Sequence, residues 1–192
     1  MFQRRVSRRA SARGRWAFWG GLAAGGAALM SAIPKLKRKV MKVTNILRKD
    51  HRLIGGMVMT LERTPKVNGM IRRSLFNQIR HQLMAHSQAE EEIFYPAVRS
   101  LNFGRVEEYV TDAYREHQNM KDLLQQISNI DPMTSEFDGK VADLRRTIQH
   151  HVEEEEGKVL PLAERHMTVE QLEDLGMKFH NRKAELRQQT AA

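Results

Sequence analysis

The chain has 192 residues, with 32 Lys or Arg against 23 Asp or Glu and no cysteine. This length suits one ordinary domain with an extension. The absence of Cys excludes disulfides, thiolate zinc sites, Cys-ligated iron–sulfur clusters and a Cys nucleophile, so a bound metal must use nitrogen and oxygen ligands. Ten of the basic residues and no acid lie in residues 1–40, and the rest of the chain is nearly neutral. Without a basic surface on that part, we expect no nucleic-acid partner.

Residues 1–40 form a basic and apolar N-terminal extension. Its uncharged run, residues 16–33, lies between an Arg-rich and a Lys-rich cluster and is rich in Gly and Ala. The run is about the minimum length for a membrane span, and Trp16 and Trp19 at one end suit a membrane interface. We favour membrane association through residues 16–33, with a soluble domain behind it. Export behind the twin-arginine-like Ser7-Arg8-Arg9, an organellar transit peptide and a disordered basic tail are the alternatives.

From residue 41 onward, apolar residues recur at helical spacing in four long stripes. The stripes run from Val43 to Leu61, from Ile71 to Ala97, from Val106 to Ile127 and from Phe137 to Leu162. A fifth amphipathic segment, roughly 169–186, follows Thr168 and Gln171, which are spaced as a capping box. No stretch shows strand alternation. The sequence therefore predicts an all-α fold, an up-down-up-down four-helix bundle over 41–167 followed by a short C-terminal helix and tail over 168–192.

Two of the stripes contain a histidine followed four residues later by a glutamate, His86 with Glu90 and His151 with Glu155. On a helix the second side chain is turned by about 40° and raised by roughly 6 Å, so the two side chains point the same way. Each pair is followed by a further Glu and, ten residues after the histidine, by a proline. One such pair alone is more often a solvated ion pair than a metal site.

The other two stripes each contain a histidine at a matching position, so the chain reads as a duplicated helical hairpin. Six polar residues then occupy positions where the helical period requires core residues: His51, His86, Glu90, His117, His151 and Glu155. Burying them without partners is costly, and bound divalent ions remove that cost. Nitrogen and oxygen ligands favour iron, with Mn or Zn as substitutes, and two carboxylates able to bridge suggest two ions.

The same pattern resembles the hemerythrin / HHE cation-binding family over residues 43–166. The matching residues are His51, His86-x-x-x-Glu90-Glu91 with Pro96, His117, and His151-x-x-x-Glu155-Glu156 with Pro161. The resemblance implies a non-heme di-iron centre in a four-helix bundle, in which the two carboxylates and an oxo or hydroxo group bridge the ions.

Two features depart from the oxygen-carrying members of that family. Those members have a fifth histidine one turn before the one on the third helix, where this chain has Ala113. The change leaves an extra open or water-filled metal position and favours reactivity over reversible carriage. Those members also take the second carboxylate five residues after its histidine, which would be Glu156. We expect Glu155 instead, because five residues of helix turn the side chain by about 140°.

Three functions follow from this pattern. The first is the binding of O2 or a related small molecule such as NO at the di-iron centre. The second is an oxidase or peroxidase that acts on peroxide or ferrous iron, which the missing fifth histidine motivates. The third is iron sensing or iron handling. We favour a binding or sensing protein over an enzyme, and the sequence predicts no oligomeric state.

Overall fold

The computed structural model describes residues 41–189, and the predicted membrane or targeting segment 1–40 lies outside that range. The described residues form helices joined by short loops, with no strand among them. The α-helices are α1 Val43–Arg63, α2 Gly69–Ala89, α3 Tyr95–Arg99, α4 Val106–Ser128, α5 Ser135–Glu154, α6 Leu160–His166 and α7 Val169–Gln189. The prediction of an all-α fold is confirmed.

Two of the four bundle helices contain a π-helical turn, which the sequence analysis did not predict. The turn π1, Glu90–Phe94, joins α2 to α3, and the turn π2, Glu155–Val159, joins α5 to α6. Each turn is closed by a bond from five residues on, such as the Tyr95 N–H to the Glu90 carbonyl. A proline follows each turn within the first two residues of the next α-helix, where its missing N–H and fixed φ are tolerated.

The bundle core consists of two apolar clusters with a polar layer between them. α1 packs on α2 and α5, and α4 packs on α5. One cluster contains Leu47, Phe94 and Val110, and the other contains Ile54 and Phe76 with the inner residues of α4 and α5. Since the four histidines of the pattern lie at the same level of the bundle, between these clusters, bulk water is kept away from them.

The apolar stripe of α2 begins differently from the prediction. Ile71, predicted to face the core, is 55% exposed, whereas Arg72 is 2% exposed. The Arg72 guanidinium binds Asp138 and lies 5.0 Å from the ring centre of Phe137. The ion pair and the contact with the aromatic ring favour burial of Arg72, so the first part of α2 is turned by one residue. The predicted register holds from Ile79 to Glu90. Beyond π1 it shifts by one residue, and Phe94 and Val98 are buried instead of Ile93 and Ala97.

The C-terminal helix α7 has 21 residues, as many as α1, and is longer than the short helix that we expected. It begins with the predicted capping box, in which Gln171 N–H donates to Thr168 Oγ1 at 3.2 Å and Thr168 N–H donates to Gln171 Oε1 at 2.8 Å. It packs on α1 and α2. No helix within residues 41–189 combines the length and apolar character that crossing a membrane requires.

Candidate metal centre

The polar layer brings together all six residues that the sequence analysis selected. Each of the four bundle helices supplies one histidine, and the two glutamates are the first residues of π1 and π2. The exposed fractions are 5% for His51, 1% for His86, 0% for Glu90, 1% for His117, 2% for His151 and 1% for Glu155. Six ionisable or polar side chains are therefore buried in one layer.

The carboxylate of Glu90 lies between imidazoles from both halves of the repeat. Its Oε1 is 3.2 Å from His86 Nε2 and 3.9 Å from His51 Nε2, and its Oε2 is 3.3 Å from His117 Nε2. Because its two oxygens face different histidines, Glu90 has the position of a bridging group.

The carboxylate of Glu155 also contacts both halves. Its Oε2 is 3.1 Å from His51 Nε2 and 3.9 Å from His151 Nε2. One ligand atom from each of His51, Glu90, His151 and Glu155 lies within 4.8 Å of the others. His86 and His117 extend this group on either side of Glu90.

The inner atoms of the layer lack hydrogen-bond partners among residues 41–189. They are the Nε2 atoms of His51 and His86 and all four carboxylate oxygens of Glu90 and Glu155. A buried polar atom left without a partner costs about 1–3 kcal/mol, and a charged one costs more. Divalent cations would satisfy these nitrogen and oxygen atoms at once, so the residues present fit a metal site.

A second carboxylate faces the outer nitrogen, Nδ1, of each histidine. Of these four acids, only Glu156 was considered for the site from the sequence, as the alternative second carboxylate ligand. The Nδ1-to-oxygen distances are 2.8 Å for His51 and Glu156, 2.9 Å for His117 and Glu91, 2.9 Å for His151 and Glu116, and 3.4 Å for His86 and Asp50. The first three contacts are hydrogen bonds, which fix the tautomer with Nδ1 protonated so that Nε2 is free to bind a metal.

The π turns explain how adjacent glutamates serve two different purposes. Glu155 is buried with its oxygens toward Nε2 of His51, whereas the side chain of Glu156 is 31% exposed and accepts from Nδ1 of the same ring. A π turn winds less per residue than an α turn, so neighbouring side chains diverge less. Glu155 thus has the inner position that we expected, while Glu156 does not point to solvent.

Tyr95 is a further site residue that the sequence analysis missed. Its side chain is fully buried, its hydroxyl is 3.4 Å from His117 Nε2, and its ring stacks on the His117 ring with 5.5 Å between centroids. Ala113, at the position of the absent fifth histidine, is buried in the same apolar cluster. The only sequence signal for Tyr95 was its place immediately before Pro96.

The buried carboxylates control the protonation of the layer. Burial acts to lower the pKa of His117, but its contacts with Glu90 and Glu91 raise that pKa to about 9. Burial also acts to lower the pKa of His51, but its contacts with Glu155 and Glu156 outweigh burial and raise that pKa well above its usual value. Burial raises the pKa of Tyr95, so its phenol keeps its proton. Metal binding would displace the protons on the histidines.

The family comparison agrees with this geometry. A family model described as Hemerythrin HHE cation binding domain matches residues 42–163. The chain belongs to this family. The matched HHE domain includes every histidine and glutamate of the polar layer and ends before α7.

Three proteins are similar to this chain in sequence or in fold. A DNA nickase of Nostoc sp. is 31% identical over 148 residues, which are 77% of this chain and 41% of that protein. An uncharacterized hemerythrin-like protein of Schizosaccharomyces pombe is 24% identical over 77% of this chain and 72% of its own length. The crystal structure of an HHE domain-containing protein from Mycobacterium kansasii covers 77% of this chain and 88% of its own, with a TM-score of 0.68 and 23% identity. The chain spans less than half of the Nostoc relative, and the crystal structure supports the fold alone.

Proposed function

We propose that this HHE protein holds two iron ions in the polar layer and binds O2, or a related small molecule such as NO, at that centre. His51, His86, His117 and His151 would be terminal ligands, and Glu90 and Glu155 would bridge. One observation supports the proposal most strongly: the carboxylate oxygens of Glu90 and Glu155 and the Nε2 atoms of His51 and His86 meet in a buried layer without hydrogen-bond partners among the described residues.

The protein's own contribution is to orient the ligands and to exclude water. The outer carboxylates hold the imidazoles of His51, His117 and His151 with Nε2 inward. Apolar side chains close the layer from both sides, with exposures of 0% for Leu47, 1% for Ile54, 3% for Leu83 and 6% for Ile148. A bound iron pair would supply reversible electron exchange with a small ligand, and the dry surroundings would slow its irreversible oxidation.

Metal analysis with absorption spectroscopy tests this proposal. The full chain is loaded with Fe(II) without oxygen, and we expect two irons per chain and a near-UV charge-transfer band that changes reversibly with O2 or NO. His51→Ala should lose metal, whereas His180→Ala, on the exposed side of α7, should not. An iron-loaded protein whose spectrum ignores both gases would refute the binding function.

Tyr95 favours a second candidate, a di-iron oxidase or peroxidase. The buried phenol keeps its proton beside His117 Nε2, so it can donate that proton to a peroxide bound there. Positioned acids contribute about 10²–10⁴ to rates. We expect peroxide turnover to fall at least tenfold in Tyr95→Phe but not in Tyr109→Phe, whose ring lies near Arg105 and Lys158 instead. Turnover no greater than that of free iron would exclude this candidate.

Two proposals concern partners. We propose no nucleic-acid partner, because residues 41–192 are nearly neutral and the DNA nickase of Nostoc is a much longer protein, of which this chain matches 41%. A mobility shift with plasmid DNA at physiological salt would contradict this. We also propose that residues 16–33 associate with a membrane, which fractionation of the full chain against a version lacking residues 1–40 would test.

A further inference from the structure

One histidine of the layer is held less firmly than the other three. The Nδ1 atoms of His51, His117 and His151 lie 2.8, 2.9 and 2.9 Å from their outer carboxylates. The corresponding distance from His86 Nδ1 to Asp50 Oδ2 is 3.4 Å, and His86 Nδ1 makes no hydrogen bond among the described residues. The repeat alone does not explain this difference, since Asp50 and Glu116 occupy equivalent positions.

The competing group on Asp50 is an ammonium from α7. Lys183 Nζ donates to Asp50 Oδ2 at 2.5 Å, which is the same oxygen that faces His86. Lys183 is only 9% exposed, and it lies outside the residues that the family model matches. Both partners are charged in the bond from Lys183 to Asp50, whereas a neutral imidazole brings no charge of its own, so the lysine prevails in the competition for this oxygen.

A lysine beside an outer carboxylate does not by itself have this effect. Lys121 Nζ bonds both oxygens of Glu91, at 2.9 and 3.1 Å, and His117 Nδ1 still lies 2.9 Å from Glu91 Oε1. The difference is that Lys183 approaches Asp50 through the single oxygen that His86 would use. Lys121 therefore provides a matched comparison within the same chain.

We propose that Lys183 is a positioning residue that draws Asp50 away from His86 and so weakens the attachment of one of the two metal ions. The inference rests on the proposed di-metal centre. A bond from imidazole Nδ1–H to a carboxylate makes Nε2 a better metal donor and fixes the ring. Phe179, also on α7, packs against the His86 ring with 6.0 Å between centroids. The C-terminal helix thereby makes the two metal positions unequal.

The rate of metal release measures this effect. The full chain is loaded with Zn(II), which needs no redox control, and mixed with excess chelator; we expect two phases of release. Lys183→Met keeps the apolar stem but frees Asp50 for His86, so the faster phase should slow by about tenfold. Lys183→Arg should behave as the original chain, and Lys121→Met should leave the faster phase unchanged.

The direction of the change separates positioning from simple anchoring. If Lys183 only fastened α7 to the bundle, Lys183→Met would loosen the helix and speed the release, and that result would overturn the inference. Release of both ions at the same rate from the original chain would also overturn the inference about Lys183, but it would not contradict the proposed metal centre. Failure to bind Zn(II) at all would instead reject the proposed function.

A measurement on metal-free protein gives an independent check. In ¹H–¹⁵N spectra of the histidine rings, the His86 Nδ1–H proton should move downfield in Lys183→Met, because its bond to Asp50 shortens. The His117 signal should stay in place in that variant. A His86 signal that is the same with and without Lys183 would overturn the inference whatever the release rates.

Discussion

The adjacent glutamates Glu155 and Glu156 allow a sharp test of the site, since one substitution at each has very different expected effects. Glu156→Gln keeps an acceptor oxygen near His51 Nδ1, now 2.8 Å from the carboxylate, and removes only its charge. Substitutions of such outer groups cost about 10- to 100-fold in metal affinity, and we expect the lower end, about 1.4 kcal/mol. Glu155→Gln removes an anionic group within 3.9 Å of histidines from both halves. We therefore expect a loss above about a hundredfold, or about 2.7 kcal/mol, and for both ions.

Competition with a chromophoric chelator, with metal analysis of the dialysed protein, measures both affinities. Glu156→Gln should retain two ions per chain with modestly weaker binding. Glu155→Gln should retain fewer ions, and its near-UV band should be altered. The reverse result, in which Glu156→Gln loses metal and Glu155→Gln retains two ions, would refute the assignment of the inner carboxylate. Circular dichroism would establish that both variants keep their helices.

Three further predictions concern stability. In urea titrations, Gly176→Ala should lower the free energy of unfolding by about 1–3 kcal/mol, because a Cβ there would lie 1.7 Å from the Met41 carbonyl oxygen. Gly139→Ala should raise the free energy of unfolding by about 0.5–1 kcal/mol, because a Cβ at that position meets nothing within 4 Å. Burial acts to raise the pKa of Asp138, but its bonds to Lys66 and Arg72 outweigh burial and lower that pKa. The contribution of Asp138 to the free energy of unfolding is therefore present above its unfolded pKa of about 4 and is lost as pH falls through its folded pKa. Because Asp138 is 38% exposed, Asp138→Asn should cost about 1 kcal/mol at pH 7 and reduce the loss of stability on acidification; equal pH profiles would contradict this. Removal of metal should lower the melting temperature, and equal melting of metal-free and metal-loaded protein would count against the site.

Helix periodicity and residue chemistry predicted the fold and selected the six residues that meet in the polar layer, because both depend on local spacing. The four stripes became the bundle helices, and the Thr168 capping box is formed. The π turns were missed, although Pro96 and Pro161 marked their ends, because a proline shows where regular bonding is interrupted but not how the chain winds before it. Arg72 was missed because its burial depends on Asp138, which is distant in sequence.

The outer carboxylates follow one rule that becomes visible only when both halves are seen together. The acid before the first histidine of each half faces the second histidine of the same half, as Asp50 faces His86. The acid after each inner glutamate crosses to the other half, as Glu156 does to His51. Sequence spacing predicts neither contact, because each pairs residues on different helices.

If the repeat alone shaped the centre, its two halves would bind metal equally. Two residues break this equality, and each acts on a different half. Tyr95 brings a hydroxyl to His117, and the equivalent residue before the second proline is Leu160, which has none. Lys183 acts on Asp50 beside His86 and comes from a helix outside the repeat. We therefore expect small-molecule chemistry at the His117 side, beside the phenol, and easier metal exchange at the His86 side.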